Sequence, residues 1–145
     1  VLNLLRLHSY TTDETYRARA EKAFRAFSER LTATPSALSE MLLAVDYYFD
    51  TPKEIILITP IETPEAEKAG KAAKTFVDKF RDRFIPNRIL VVANENQAAD
   101  NAKIIPLAAG KKAAKGAATA YVCENGTCSL PDETSEEFAE RLIPE

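Results

Sequence analysis

Two cysteines near the end of the chain are the residues whose chemistry the sequence indicates most clearly. Cys123 and Cys128 flank Asn125-Gly126, a pair that favours a tight two-residue hairpin turn because both residues accept positive φ angles. With that turn, Cys123 faces Cys128 as a non-hydrogen-bonded pair, at a Cα separation of about 4.5 Å that a disulfide accepts. A reversible dithiol is therefore geometrically feasible. The alternative is that both are small packing groups, as unpaired cysteines usually are. We favour slowly reacting, buried thiols, because no histidine or obvious basic group lies nearby in the sequence to activate them.

A second set of candidates consists of charged side chains. The glycine-bounded loop 110–116 contains Lys111, Lys112 and Lys115, but it does not match the phosphate-binding pattern Gly-x-x-x-x-Gly-Lys-Ser/Thr. Two interpretations of this loop remain: it forms an anion-binding patch or, as is more common, it is a solvated lysine face. Asp46 lies beside the apolar face of a predicted helix, where it would line a pocket or form a hydrogen bond at the helix edge. The sequence indicates no catalytic residue and no cofactor.

Composition argues against several classes of partner. The 145 residues include 19 basic and 22 acidic side chains, for a net charge of -3, whereas general nucleic-acid binding requires a basic surplus. No apolar run reaches the length of a membrane span. Two cysteines and the single histidine, His8, cannot complete a four-ligand zinc site. We therefore expect no nucleic-acid partner, no membrane partner, no metal and a cytoplasmic location.

Residues 1–50 have the pattern of a helical hairpin with a preceding helix. The chain opens inside an apparent helix without an N-cap, so we expect residue 1 to be an internal point of a longer polypeptide. Thr11 and Glu14 predict a capping box for the next helix, and Thr34-Pro35 would begin another. The predicted buried face of that last helix contains Leu38, Met41, Leu42, Val45 and Phe49.

Residues 53–145 predict a small α/β domain that begins with a βαβ unit. The β-branched runs 55–58 and 89–92 are typical of strands buried on both faces. The helix between them would begin at Thr63-Pro64. Because a helix connects the two strands, the strands should be parallel with a right-handed crossover. We expect Ile56 and Val91 in the core of this unit.

The remainder of that domain predicts a hairpin and a last helix. Strands at 119–123 and 127–130 would enclose the Asn125-Gly126 turn, and Thr134 with Glu137 would cap the helix. The resulting order, β-α-β-α-β-β-α, is also that of the minimal thioredoxin-like topology. The loop 59–64, where such a fold carries its redox pair, contains no cysteine.

Several segments resemble one protein family in their order and spacing. They are residues 3–7, 16–21, 41–46, 84–87 and 119–131. The family is that of thioredoxin-domain proteins with a spermatogenesis-associated mammalian member. The resemblance implies a thioredoxin-like domain, then an (α/α)6 barrel similar to N-acylglucosamine epimerases and glycosidases, then a C-terminal α/β portion. This chain would contain the last barrel helices, at 1–50, and that portion, at 53–145.

Three functions follow as hypotheses. The first is a non-catalytic structural or interaction module that packs against upstream domains of the same polypeptide, with self-association through exposed helical faces as a further possibility. On this reading Val1, Leu4, Leu5 and Leu7 stay partly exposed. The second is a dithiol/disulfide redox partner acting through the Cys123/Cys128 hairpin. The third is a part of a carbohydrate-active barrel protein, to which this chain contributes a wall.

Overall fold

A computed structural model of the chain describes residues 1–61 and 66–142. The helical part consists of α1 (Leu2–Thr11), α2 (Glu14–Ala33) and α3 (Ser39–Phe49), with a 3-10 turn at Pro35–Leu38 before α3. The α/β part consists of β1 (Lys53–Thr59), α4 (Ala66–Arg81), β2 (Arg88–Asn94), α5 (Glu95–Asn101), β3 (Thr119–Glu124), β4 (Thr127–Cys128) and α6 (Ser135–Arg141). The predicted mixed α/β class is confirmed. The predicted helix start at Thr63-Pro64 lies outside the described residues.

The strands form one sheet in the order β2-β1-β3-β4. β1 and β2 are parallel, with Ile56 opposite Val91, while β3 runs antiparallel to both β1 and β4. The predicted parallel pairing is therefore confirmed, and both residues are buried as expected. Because β1 lies between two neighbours and is covered on both faces, its central residues are apolar without alternation.

Each face of the sheet has its own core. On one face, Ile55 and Leu57 pack with residues of α4 and α6, including Phe76 and Phe138. On the other, Ile56 packs in a cluster that contains the following residues: Ile58, Val91, Ala93, Ala98, Ala108 and Cys123, with Tyr10 of α1 against it. The helical part thus helps to cover the second face.

The start of α2 differs from the prediction. Its N-cap is Asp13, whose carboxylate accepts a hydrogen bond from the Thr15 N–H at 2.9 Å. The predicted cap, Thr11, is instead the last residue of α1, and its hydroxyl donates to the Leu7 carbonyl at 2.8 Å. The capping-box prediction was wrong because α1 extends further than the apolar pattern indicated.

The predicted buried face of α3 was also wrong. Ala44 and Tyr47 are the buried residues of this helix, and they pack with Leu5 of α1 and Ala20 of α2. Phe49, by contrast, is 82% exposed. The small alanines at this contact let the helices approach closely. The prediction relied on the large apolar residues of α3, which lie on a different face of that helix. Among the N-terminal residues expected to stay partly exposed, only Leu5 is buried; Val1 and Leu4 are partly buried, and Leu7 is exposed.

Candidate functional site

The hairpin between β3 and β4 has the register expected from the sequence. Asn125 and Gly126 have φ angles of 52° and 73°, as a two-residue turn of this kind requires. Glu124 is opposite Thr127, and Cys123 is opposite Cys128. The turn residues therefore bring the two cysteines side by side.

The two cysteines form a disulfide in the structure. Their Cα atoms are 3.9 Å apart. Cys123 is completely buried in the core of the second sheet face, whereas Cys128 is exposed. The expectation of two buried free thiols was wrong: the register brings the sulfurs together, and β4 ends at Cys128, at the edge of the sheet. Leu130, two residues after the end of β4, is 82% exposed.

Glu54 is a functional candidate that the sequence interpretation missed. It lies on β1 directly opposite Cys123 of β3, and residues at such positions have neighbouring side chains on one face of the sheet. Its Oε2 atom is buried without a hydrogen-bond partner in the described part of the chain. Burial raises the pKa of the Glu54 carboxyl, and the charges of Lys111 and His8 oppose that shift. The sequence did contain a signal for this candidate. Because side chains alternate along a strand, Glu54 shares a face with Ile56 and Ile58, and an acid on such an apolar face is unusual.

Glu54 lines a cleft of about 260 Å³ between the helical part and the hairpin turn. The cleft also contains the following residues: Leu5, His8, Ser9, Thr12, Arg17, Tyr47, Tyr48, Asp50, Pro52, Asn125 and Gly126. Within it, the Ser9 and Tyr47 hydroxyls are hydrogen bonded at 3.0 Å. Burial raises the pKa of Tyr47, and the Ser9 hydrogen bond partly offsets this. The cleft therefore joins polar side chains from three helices to the partly buried carboxyl of Glu54, which lies on the strand position opposite Cys123.

The three candidate lysines contact two different residues, Tyr121 and Glu133. The Lys111 ammonium lies 5.5 Å from the centroid of the Tyr121 ring, and burial lowers the pKa of this lysine. Lys112 is exposed, and its backbone carbonyl accepts a hydrogen bond from the Tyr121 hydroxyl at 2.7 Å. Lys115 forms an ion pair with Glu133 at 2.9 Å. Lys111 and Lys112 thus share Tyr121 as a contact and Lys115 pairs with Glu133, so an anion patch built from all three stays a prediction.

Asp46 connects α3 to the loop before β2. Its Oδ2 accepts a hydrogen bond from the Asn87 amide at 2.8 Å, and Asp50 accepts another from the same nitrogen at 2.7 Å. Asn87 is buried, so these bonds satisfy a side chain that would otherwise be costly to bury. In the part of the chain that the structure describes, no contact joins Asp46 to the three lysines. This geometry matches the helix-edge hydrogen bond rather than the pocket.

Residues 1–61 and 66–142 contain neither a metal-ligating cluster nor a membrane-spanning helix. Within these ranges, no group of three or more His, Cys, Asp or Glu side chains is arranged to hold a metal ion. No helix there has the length and apolar character needed to cross a membrane.

The fold and the site define a mixed α/β chain with a disulfide-bonded hairpin beside a polar cleft. The chain is 32% identical over 129 residues to human spermatogenesis-associated protein 20, and 28% identical over 129 residues to the mouse protein of that name. It is 27% identical over 138 residues to an uncharacterized protein of Caenorhabditis elegans. These relatives confirm the resemblance, indicated by the sequence motifs, to a family with a spermatogenesis-associated mammalian member. The human match covers 89% of this chain but 16% of the human protein, so the chain spans about a sixth of that relative's length. No protein-family profile matches the chain, and no solved structure matches it.

Proposed function

We propose that the chain is a non-catalytic module that packs against other parts of a longer protein. The observation that carries this proposal is an apolar groove of about 480 Å³ between α2 and α3. Phe24 and Leu31 of α2 line it together with Leu42, Val45 and Phe49 of α3. The groove contains most of the residues whose spacing had predicted a buried face. An exposed apolar surface of this kind is typical of a site that another protein surface covers.

Two further observations support the architecture that the resemblance implies. The relatives are about six times as long as the matched region, which leaves ample chain to cover the groove. The order β2-β1-β3-β4, with a parallel β1–β2 pair and antiparallel β3 and β4, agrees with a thioredoxin-like topology. On this proposal residues 1–50 end an (α/α) barrel and 53–145 form the α/β domain. Fold alone does not assign an activity.

The experiment compares Phe49→Ser in this 145-residue chain and in the full-length gene product. In the chain alone, the substitution should change the free energy of unfolding by less than about 0.5 kcal/mol, because the ring is exposed. In the longer protein it should cost about 2 kcal/mol or more, since the ring would be buried there. Phe84→Ser is the matched control, because Phe84 is 92% exposed and lies outside the groove.

Equal, small effects of both substitutions in the longer protein would contradict the packing proposal. A dimer of the isolated chain that dissociates on Phe49→Ser would instead favour self-association, which sedimentation velocity measures directly.

We further propose thiol–disulfide exchange as a second candidate function, because one of the two residues in the Cys123–Cys128 disulfide, Cys128, is exposed. Disulfides in reducing compartments are usually transient and catalytic or redox-sensing, so the expected cytoplasmic location favours a bond that cycles. The partner would be a protein dithiol, such as a thioredoxin-like domain in the same polypeptide. The carbohydrate-active alternative concerns a barrel beyond this chain and stays a prediction.

Redox exchange is tested by incubating the folded chain with a dithiol reductant and counting alkylated cysteines by mass spectrometry. We expect the disulfide to be reduced while the circular dichroism of the fold persists. Reduction only under unfolding conditions would refute the exchange function, because the bond would then be purely structural.

A further inference from the structure

The carboxyl of Glu54 has a setting that neither packing nor ion pairing explains. It lies opposite Cys123 across the β1–β3 pair, with one oxygen buried and unpartnered in the described part of the chain. The other acid next to the disulfide, Glu124, forms an ion pair with Lys53 at 2.6 Å and is exposed. One of the two acids is therefore paired, whereas the other lies on the strand position opposite a buried cysteine and has one oxygen without a partner in the described part of the chain.

The two disulfide-bonded residues differ in exposure, and this difference favours one direction of attack in an exchange reaction. An external thiolate can reach exposed Cys128, whereas Cys123 is completely buried. Attack on Cys128 therefore makes Cys123 the leaving group. A thiolate in apolar surroundings is unfavourable, because burial disfavours the charged form. The leaving sulfur consequently needs a proton from a group that lies beside it.

We propose that Glu54 donates this proton to Cys123 when a dithiol reduces the Cys123–Cys128 disulfide. This inference rests on the second proposed function. A thiolate of the reductant bonds to the Cys128 sulfur, the sulfur–sulfur bond breaks, and its electron pair stays on Cys123, which takes the carboxyl proton. The second thiolate of the reductant then attacks the mixed disulfide, so that the reductant becomes a disulfide and Cys128 is released. The Glu54 carboxylate regains a proton from water in the cleft.

The surroundings of Glu54 suit this role. Burial favours its protonated form, which is the form that a proton donor requires at the start of the reaction. The other titratable groups that face the cleft or act on Glu54 are the following: His8, Arg17, Tyr47, Tyr48, Asp50 and Lys111. The charge of His8 acts on Glu54, so the contribution of this histidine has to be separated by experiment.

The test is the rate of disulfide reduction by dithiothreitol across a pH series, divided by the thiolate concentration of the reductant. In the wild-type chain this corrected rate should fall as the pH rises and Glu54 loses its proton. Glu54→Gln should be at least about tenfold slower at the acidic end of the series, and its corrected rate should not fall. Glu124→Gln, the same chemical change beside the same disulfide, should behave as wild type. His8→Gln should still show a corrected rate that falls with rising pH, but the fall should move to higher pH, because the His8 charge opposes the upward shift of the Glu54 pKa.

Each outcome decides the matter. A flat corrected profile in the wild-type chain overturns the role of Glu54 without any variant, which covers the case of a substitution that prevents folding. Equal rates for Glu54→Gln and Glu124→Gln overturn it while leaving the exchange function in place. A wild-type disulfide that is not reduced in the folded state overturns both.

Discussion

Reduction of the hairpin disulfide should destabilise the chain by an amount that its small loop sets. The bond joins Cys123 to Cys128 across a sequence separation of 5 residues. In the chain-entropy treatment, opening a loop of this size increases the conformational entropy of the unfolded state. The free energy of unfolding should therefore fall by about 2 kcal/mol. The native hairpin should persist after reduction, because the positive φ angles of Asn125 and Gly126 are provided by residues that favour them.

Urea unfolding with and without a phosphine reductant measures this difference. We expect the midpoint to fall by about 1 M on reduction, with little change in slope. Cys128→Ser should match the reduced wild type, because Cys128 is exposed and its replacement leaves no cavity. A loss below about 0.5 kcal/mol would refute the loop-entropy argument and would mean that the turn already restricts the unfolded hairpin.

Three further predictions concern the sheet and its turn. Ile56→Ala should cost roughly 2–4 kcal/mol in urea unfolding, because the side chain is fully buried; the control Val92→Ala, at a half-exposed position of β2, should cost less than about 1 kcal/mol. Because burial raises the pKa of Glu54 above its ordinary 4.5, the folded state loses stability as the pH rises through the shifted value. Glu54→Gln should therefore stabilise the chain at neutral pH, where burial disfavours the charged carboxylate that the substitution removes. That gain should disappear below the ordinary pKa, and an unchanged gain in acid would contradict the reasoning. Gly126→Ala should cost about 1 kcal/mol by thermal unfolding, since φ is 73° there.

The elements that the sequence predicted well are those with strong local signals. The runs of β1 and β2 are β-branched and continuous, so their identity as strands did not depend on distant residues. The expectation that both are buried on both faces held for β1 and was wrong for β2, because β2 lies at the sheet edge and Val92 is 51% exposed. The turn at Asn125-Gly126 fixed the hairpin register because few residues accept its backbone angles. Thr134 also caps α6 as predicted, since its hydroxyl accepts from the Glu137 N–H at 3.3 Å.

The features that escaped prediction depend on contacts between distant segments. The buried side of α3 is decided by α1 and α2, which meet it at Ala44 and Tyr47 rather than at its large apolar residues. The capping box of α5, between Asn94 and Gln97, was readable from the sequence but lay in a segment divided by prolines and glycines. The role of Glu54 required the β1–β3 register, which no local pattern contains.

The helical part and the sheet together create the environment of Glu54. Tyr10 of α1 binds both backbone groups of Leu90 in β2, donating to the carbonyl at 3.2 Å and accepting from the N–H at 3.3 Å. The Asn87 amide joins the start of the sheet to α3 through Asp46. These bonds hold the helices over the face that contains Cys123, and the same helices supply most of the cleft. The two proposals are therefore physically connected, because a surface that packs in the groove of α3 would also fix the helix that contributes Tyr47 to the cleft.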